Sequence, residues 1–240
     1  MRARAAALGL AAVLVFGACG GDNGSSAPTT TVAPATTTTL SQAQLDKQKA
    51  QRVVLTAADL PGYTQDPPRP SGDRAEFAAA ANACVNNNPV IVALGQDTDP
   101  RGATSPGFRK GETVTVSSSV TFGETEDAAR SVMADLNAAS FPACFSRAFT
   151  AELRKDTTNS NVSVTTTKLA ALNVGDQSVA YRTVARLRTQ GTNALLNVDF
   201  TFIRVGRALG SIQDLQATSA FPDAERLRLA TALAGRMAAP

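Results

Sequence analysis

Apolar and polar positions alternate most regularly in the second half of the chain. In TVTVSSSVTF, Val114, Val116, Val120 and Phe122 fall on one side, and Thr113, Thr115, Ser117, Ser119 and Thr121 on the other. That pattern predicts a strand with one face on a core and one in water. Period-two patterning returns at 162–169, 178–188, 195–205 and 208–216, and Gly206-Arg207 suits a tight hairpin between the last two. In the third of these, Leu196, Val198, Phe200 and Phe202 make the apolar side. Ile203 and Val205 on its other side point to burial on both faces near the hairpin, or to a bulge.

Helical spacing takes over elsewhere. Ser41 and Gln44 have capping-box spacing and Leu40 with Leu45 brackets them as a hydrophobic staple, so a first helix begins there. Thr56 and Asp59 repeat the cap spacing for a short turn that Pro61-Gly62 ends. A helix over 74–86 places Phe77, Ala81 and Cys84 on one face, and the turn-rich stretch from Asn87 to Phe108 reads as loop. Thr125 followed by Glu126 and Asp127 opens a helix carrying Ala129, Val132 and Leu136, the acids sitting where the helix dipole favours them. Phe141-Pro142 starts another, with Phe145, Phe149 and Leu153 on one stripe. The last helix has Pro222 near its first turn and Leu227, Ala230, Leu233 and Met237 on its inner face. Helices early, strands late and a closing helix predict an α+β single domain over 41–240, a curved antiparallel β-sheet covered by helices.

The segment before this body has a different character. Arg2 and Arg4 precede an apolar and small-residue run over 5–18, too short for a permanent span and ordered like a secretory signal, and then comes Cys19. Val15-Phe16-Gly17-Ala18 resembles a bacterial lipobox, in which the following cysteine is lipidated, with palmitate among the usual chains, and becomes the new N-terminus. Phe16 departs from the aliphatic residue usual at its position. The competing reading leaves Cys19 an ordinary thiol. The stretch 19–40, rich in Thr, Ser, Gly and Pro, cannot build a core and is expected to be a disordered tether. As a flexible coil it spans about 25 Å, and about 65 Å pulled straight. The expected location is the outer face of the cell membrane, held by an N-terminal lipid anchor.

With Cys19 committed to lipid, Cys84 and Cys144 remain as an even pair in an oxidising compartment, and one structural disulfide between them is expected. The alternative, a redox-active pair, lacks both CxxC spacing and a histidine to lower a thiol pKa.

Charge and composition narrow the function. The formal charge of +3 falls to +1 once Arg2 and Arg4 are removed, which argues against nucleic acid as a partner. Histidine is absent, which excludes Ser-His-Asp and Cys-His catalysis and imidazole metal sites. No cofactor and no metal site is expected. Lys110, Lys155 and Lys168 have hydroxyl residues nearby, but nothing at fixed spacing supports a Ser-Lys hydrolase, and the acids of GETEDAAR read as a helix start. The chain is expected not to be an enzyme.

Two sets of residues are candidates for binding. Arg182, Arg186 and Arg188 share one face of their strand and suit phosphate or carboxylate groups of an envelope lipid or glycan, against a plain reading as a solvated sheet face. Phe200 and Phe202 suit the wall of an apolar pocket, against a plain reading as core. Asp176, after Gly175, is better suited to a turn than to catalysis.

The phrases VVLTAADLPGYT, VSSSVTFGETEDAARSVMADLNAASFPAC, LNVGDQSVAYR and FTFIRVGRALGSI, in that order, resemble exported actinobacterial lipoproteins related to the extracellular sensor domain of mycobacterial-type receptor serine/threonine kinases. The matching positions are Leu60, Pro61 and Gly62, then Cys144, then Gly175 and Asp176, then Arg204, Val205 and Gly206. The kinase-linked sensors have two disulfides where this chain has cysteines for one in its body, and it lacks a kinase domain. The resemblance implies an envelope-facing, sensor-like module and supplies no ligand. Two functions are therefore expected: a non-catalytic domain binding an apolar or amphipathic envelope component in an enclosed pocket, or a module that docks another exported or membrane protein through a helix face or sheet edge.

Overall fold

The computed structural model describes residues 39–67, 81–86, 88, 90–91, 94, 96, 98–156, 161–189, 192–217 and 219–239. The expected signal segment, Cys19, all but the last two residues of the expected tether and the first half of the 74–86 helix lie outside them. Contacts gather residues Thr39–Pro240 into one compact unit.

Four α-helices are present among the described residues: α1 (Gln42–Val53), α2 (Glu126–Asn137), α3 (Phe141–Asp156) and α4 (Asp223–Ala238). The strands are β1 (Thr64–Gln65), β2 (Ala103–Thr104), β3 (Phe108–Lys110), β4 (Val114–Phe122), β5 (Asn161–Lys168), β6 (Gln177–Thr189), β7 (Thr192–Val205) and β8 (Ala208–Gln216). They join in one antiparallel sheet in the order β1-β3-β4-β8-β7-β6-β5, with β2 also paired to β4. The α+β class and the antiparallel sheet are as the alternation predicted. Helices cover both faces. α1 and α4 lie on one side, in a core with Val116, Val120, Ile203 and Ile212. On the other, α2, α3 and the segment around Val85 pack on Val179, Tyr181, Phe200, Phe202 and Leu209.

Local chemistry starts the helices where expected. Ser41 Oγ accepts from the Gln44 amide at 3.3 Å while Gln44 Oε1 accepts from the Ser41 amide at 2.7 Å, a closed capping box. The staple expected around it is not buried, since Leu40 and Leu45 both remain exposed. Thr56 and Asp59 make the second cap, with the Thr56 amide donating to Asp59 Oδ2 at 2.7 Å. The chain around Cys84 forms a short 3-10 turn, Ala83–Val85, that ends at Asn86 with φ of 52°. Cys84 is bonded to Cys144 on α3, with Cα atoms 5.7 Å apart, so the expected disulfide is present.

The longest strands pair without interruption. β6 and β7 run in register from Gln177↔Arg204 to Thr189↔Thr192, and β7 and β8 from Asn197↔Gln216 to Val205↔Ala208. No bulge intervenes at Ile203, so of the two explanations for its apolar side, burial on both faces is the correct one. Gly206 takes φ of +55° at the first position of the two-residue β7–β8 turn, the glycine-first pattern that matches strand twist. Gly210 has another role: a Cβ there would come within 2.9 Å of Met237 Sδ and 3.1 Å of Leu233 Cδ2, so its bare backbone lets α4 approach β8 closely.

Three expectations need correction. The hydroxyl side of β4 does not face water throughout, because Ser119 and Thr121 are buried. β4 lies between β8 on one edge and β2 and β3 on the other, and its hydroxyls serve neighbours: Thr104 Oγ1 meets Ser119 Oγ at 3.1 Å, and Ser118 Oγ accepts from the Leu55 amide at 2.8 Å. The stretch read as loop up to Phe108 contains β2 and the start of β3, whose two and three residues are too short for alternation to show. On α4, Leu227 is 43% exposed and does not face inward, whereas Arg226 is buried in line with Leu229, Leu233 and Met237.

Candidate functional site

The residues singled out for binding do not converge. Alternation along β6 and β7 sends Phe200 and Phe202 to the α2–α3 side and the arginines of β6 to the opposite side, where α4 lies. Phe200 meets Phe145 edge-on at 5.3 Å between ring centroids and stacks with Phe202 at 6.5 Å. Tyr181 completes this aromatic group against Phe141 at 4.8 Å, and its hydroxyl donates to the Leu136 carbonyl. Burial of that phenol pushes its pKa up to about 12.

The three arginines separate in turn. Arg182 grips Asp199 with two bonds, Nε to Oδ1 at 2.8 Å and Nη2 to Oδ2 at 2.6 Å, and also reaches the Phe221 carbonyl at 3.3 Å. Arg186 and Arg188, further along β6, are exposed and make no ion pair among the described residues.

Behind Arg182 lies a buried ionic group that alternation did not single out. Arg226 of α4 donates to Asp199 Oδ2 at 3.1 Å and pairs with Asp223 at 2.9 Å. Asp214 of β8 stands directly across from Asp199 in the β7–β8 register, and each is only 1% exposed. Desolvation, followed by the charge of Asp199, pushes the Asp214 carboxyl well above the ordinary range against the opposing pull of Arg226 and Arg182. The signal was present in the chain: Asp199 and Asp214 interrupt the sheet side that carries Ile203 and Ile212, and Arg226 falls in the helical stripe of Leu229 and Leu233.

A second buried group joins α1 to the β7–β8 turn. Asp46 of α1 accepts from Arg207 Nη1 at 2.8 Å, Arg101 Nη1 at 3.1 Å and Gln42 Nε2 at 2.9 Å. Burial alone would raise its pKa, but these donors outweigh it and hold the carboxyl below the ordinary range. Asp176 has the turn role expected, its Oδ2 accepting from the Gly206 amide at 2.7 Å and pairing with Arg204 at 3.2 Å.

At the β5 side of the sheet, α3 and β5 enclose an open groove of about 340 Å³ lined by Ser146, Arg147, Thr150, Ala151, Arg154 and Val164. Arg147 and Arg154 are exposed and, like Arg186 and Arg188, make no ion pair among the described residues. From 157 to 198 the only acid is Asp176, already bound into the hairpin, while Lys168, Arg182, Arg186 and Arg188 all fall there. The β5–β6 hairpin is therefore basic in sequence although the chain as a whole is near neutral.

Among the described residues no three His, Cys, Asp or Glu side chains are grouped so as to hold a metal, and no helix is long and apolar enough to cross a membrane. No family model matches the chain, and neither does any curated protein. Among solved structures, the extracellular domain of PknH from Mycobacterium tuberculosis is similar to it over 80% of this chain and 96% of that one, with 8% identity and a TM-score of 0.43.

Proposed function

We propose that the chain is an exported, lipid-anchored, non-catalytic module that docks another exported or membrane protein on its basic β5–β6 side. The observation that carries this reading is the segregation of charge. Most arginines elsewhere among the described residues are committed: Arg101, Arg109, Arg204, Arg207, Arg226 and Arg236 each hold a carboxylate, while Arg52 of α1 is exposed without one. Around the β5 edge Arg147 and Arg154 stand exposed on α3, and Arg186 and Arg188 stand exposed on the opposite face of β6; β5 and β6 contain no acid, while α3 contains Glu152, paired with Lys155, and Asp156. Exposed, uncommitted cations on both sides of a sheet edge attract an acidic partner and steer its approach. The rings of Phe200 and Phe202 pack against aromatic neighbours, so the docking reading is preferred to one in which they line a pocket for an apolar envelope component.

Export is supported by the Cys84–Cys144 bond, which belongs to an oxidising compartment. Anchoring is supported by the apolar run over 5–18 that ends at Cys19.

A photo-cross-linking residue placed at Ser163, exposed on β5 and directly opposite Arg186, tests the docking in intact cells. The expected result is an adduct with an exported or membrane protein that is absent when the probe sits at Thr231, on the exposed face of α4. Equal labelling from both positions, or none from Ser163, overturns the reading.

A further inference from the structure

The α3–β5 groove has a donor arrangement specific enough to name what it takes. Ser146 closes the strand edge at one point: its Oγ accepts from the Thr166 amide at 2.8 Å and donates to the Pro142 carbonyl at 2.9 Å. In an antiparallel ladder, backbone groups point alternately toward the partner strand and away from it. The Leu169 amide donates inward to the Ala180 carbonyl at 2.8 Å, whereas Thr166 points outward to Ser146, so Val164, two residues before Thr166, presents its N–H and C=O to the same outer edge. One helical turn past Ser146 the α3 surface consists of Thr150 and Ala151, and these small side chains leave the groove open opposite Val164.

The hydroxyls that line it are already spent. Thr150 donates to the Ser146 carbonyl at 2.7 Å, and Ser146 is occupied in both directions. What remains for a ligand is the Val164 edge and two guanidinium groups. Arg147 and Arg154 are two helical turns apart, about 10 Å along the axis, so they bracket the groove from its two ends. The nearby Lys155 is occupied with Glu152 at 2.8 Å. Guanidinium forks match carboxylates in a two-bond geometry, and a strand edge matches extended backbone. The volume is at the low end for small-ligand sites, about 300–1,000 Å³, which suits a side chain and its backbone rather than a long acyl chain.

We propose that this groove seats a Glu or Asp side chain on an extended segment of the partner protein, with Arg147 and Arg154 holding the carboxylate and the Val164 edge holding the backbone beside it. The inference rests on the docking reading above and adds the chemistry of what docks.

The test is a titration of the full-length, isotope-labelled chain, followed by backbone amide NMR, with three probes: a peptide of alternating Glu and Val, its Gln-Val counterpart, and inorganic phosphate. The acidic peptide is expected to shift the Val164 amide. Arg147→Ala and Arg154→Ala, both at exposed positions, are each expected to weaken that binding roughly tenfold, and Arg147→Lys to recover part of it. If the acidic peptide shifts β6 around Arg186 and Arg188 but leaves Val164 unmoved and is indifferent to Arg147→Ala, the groove is overturned while basic-side docking stands. If it shifts nothing on β5, β6 or α3, both fall. If the Gln-Val peptide or phosphate moves Val164 as strongly, a seat for an acidic segment is overturned in favour of edge pairing alone or a simple anion site.

Discussion

Replacing Asp214 by Asn removes one charge from the most buried ionic group of the molecule, and the consequence follows from what surrounds it. Asp214 faces Asp199 across the β7–β8 ladder, its Oδ2 has no hydrogen-bond partner, and the two arginines nearby are both engaged with Asp199. A buried polar atom without a partner costs about 1–3 kcal/mol, and more when charged. Asn keeps the shape, carries no charge, and offers an N–H₂ to the facing carboxylate. Asp214→Asn is therefore expected to stabilise the fold by about 1–3 kcal/mol at neutral pH. For a domain of this size that is about 2–4 °C in Tm for each kcal/mol.

The pH dependence supplies the sharper check. The Asp214 pKa is raised in the folded state, so between its ordinary value of 3.8 and the folded value the native state binds more protons than the unfolded one. Wild-type stability then falls as pH rises through that window, and below it neither state carries the charge. The advantage of Asn should accordingly be near zero at about pH 3.5 and grow as pH rises from the ordinary carboxylate value toward the raised folded one. Urea unfolding followed by circular dichroism, at closely spaced pH values, measures both. An Asn variant less stable than wild type at neutral pH, or a gap of equal size at both ends, would show that Asp214 sits there as a satisfied, ionised partner.

Two further outcomes follow from the same geometry. Breaking the Cys84–Cys144 bond by Cys84→Ala with Cys144→Ala frees a loop of separation 60 and should cost about 4 kcal/mol, read as a lower urea midpoint that matches wild type under reductant. Asp46→Asn leaves Arg207 and Arg101 without their shared carboxylate and should cost about 3–5 kcal/mol at neutral pH. Because the folded Asp46 pKa is depressed, that stabilisation is present above the ordinary carboxylate value and is lost as pH falls through the folded one, so an acid titration of unfolding should bring variant and wild type together.

The order of the long elements, the caps of α1 and of the 56–59 turn, the β7–β8 hairpin, and the apolar faces of β6 and β7 were legible along the chain. Each depends on residues within a few positions of one another: Ser41 with Gln44, Gly206 with Arg207, Val198 with Phe200. The pairing of Cys84 with Cys144 was legible for another reason, since it follows from thiol chemistry and compartment rather than from shape. Which arginines are committed could not be read this way. Arg182 and Arg186 sit on the same face of one strand, yet one holds Asp199 and the other is exposed, because register sets Asp199 opposite Arg182 and Leu195 opposite Arg186. The exposed hydroxyl face expected for β4 was lost because strands far along the chain, and helices over both faces, enclose it. The groove beside Val164 exists only because α3, following β4 and α2, lies against a strand that begins after it. Periodicity records which side of an element is apolar; only the folding of distant elements onto one another decides which polar groups find partners and which are left for a ligand.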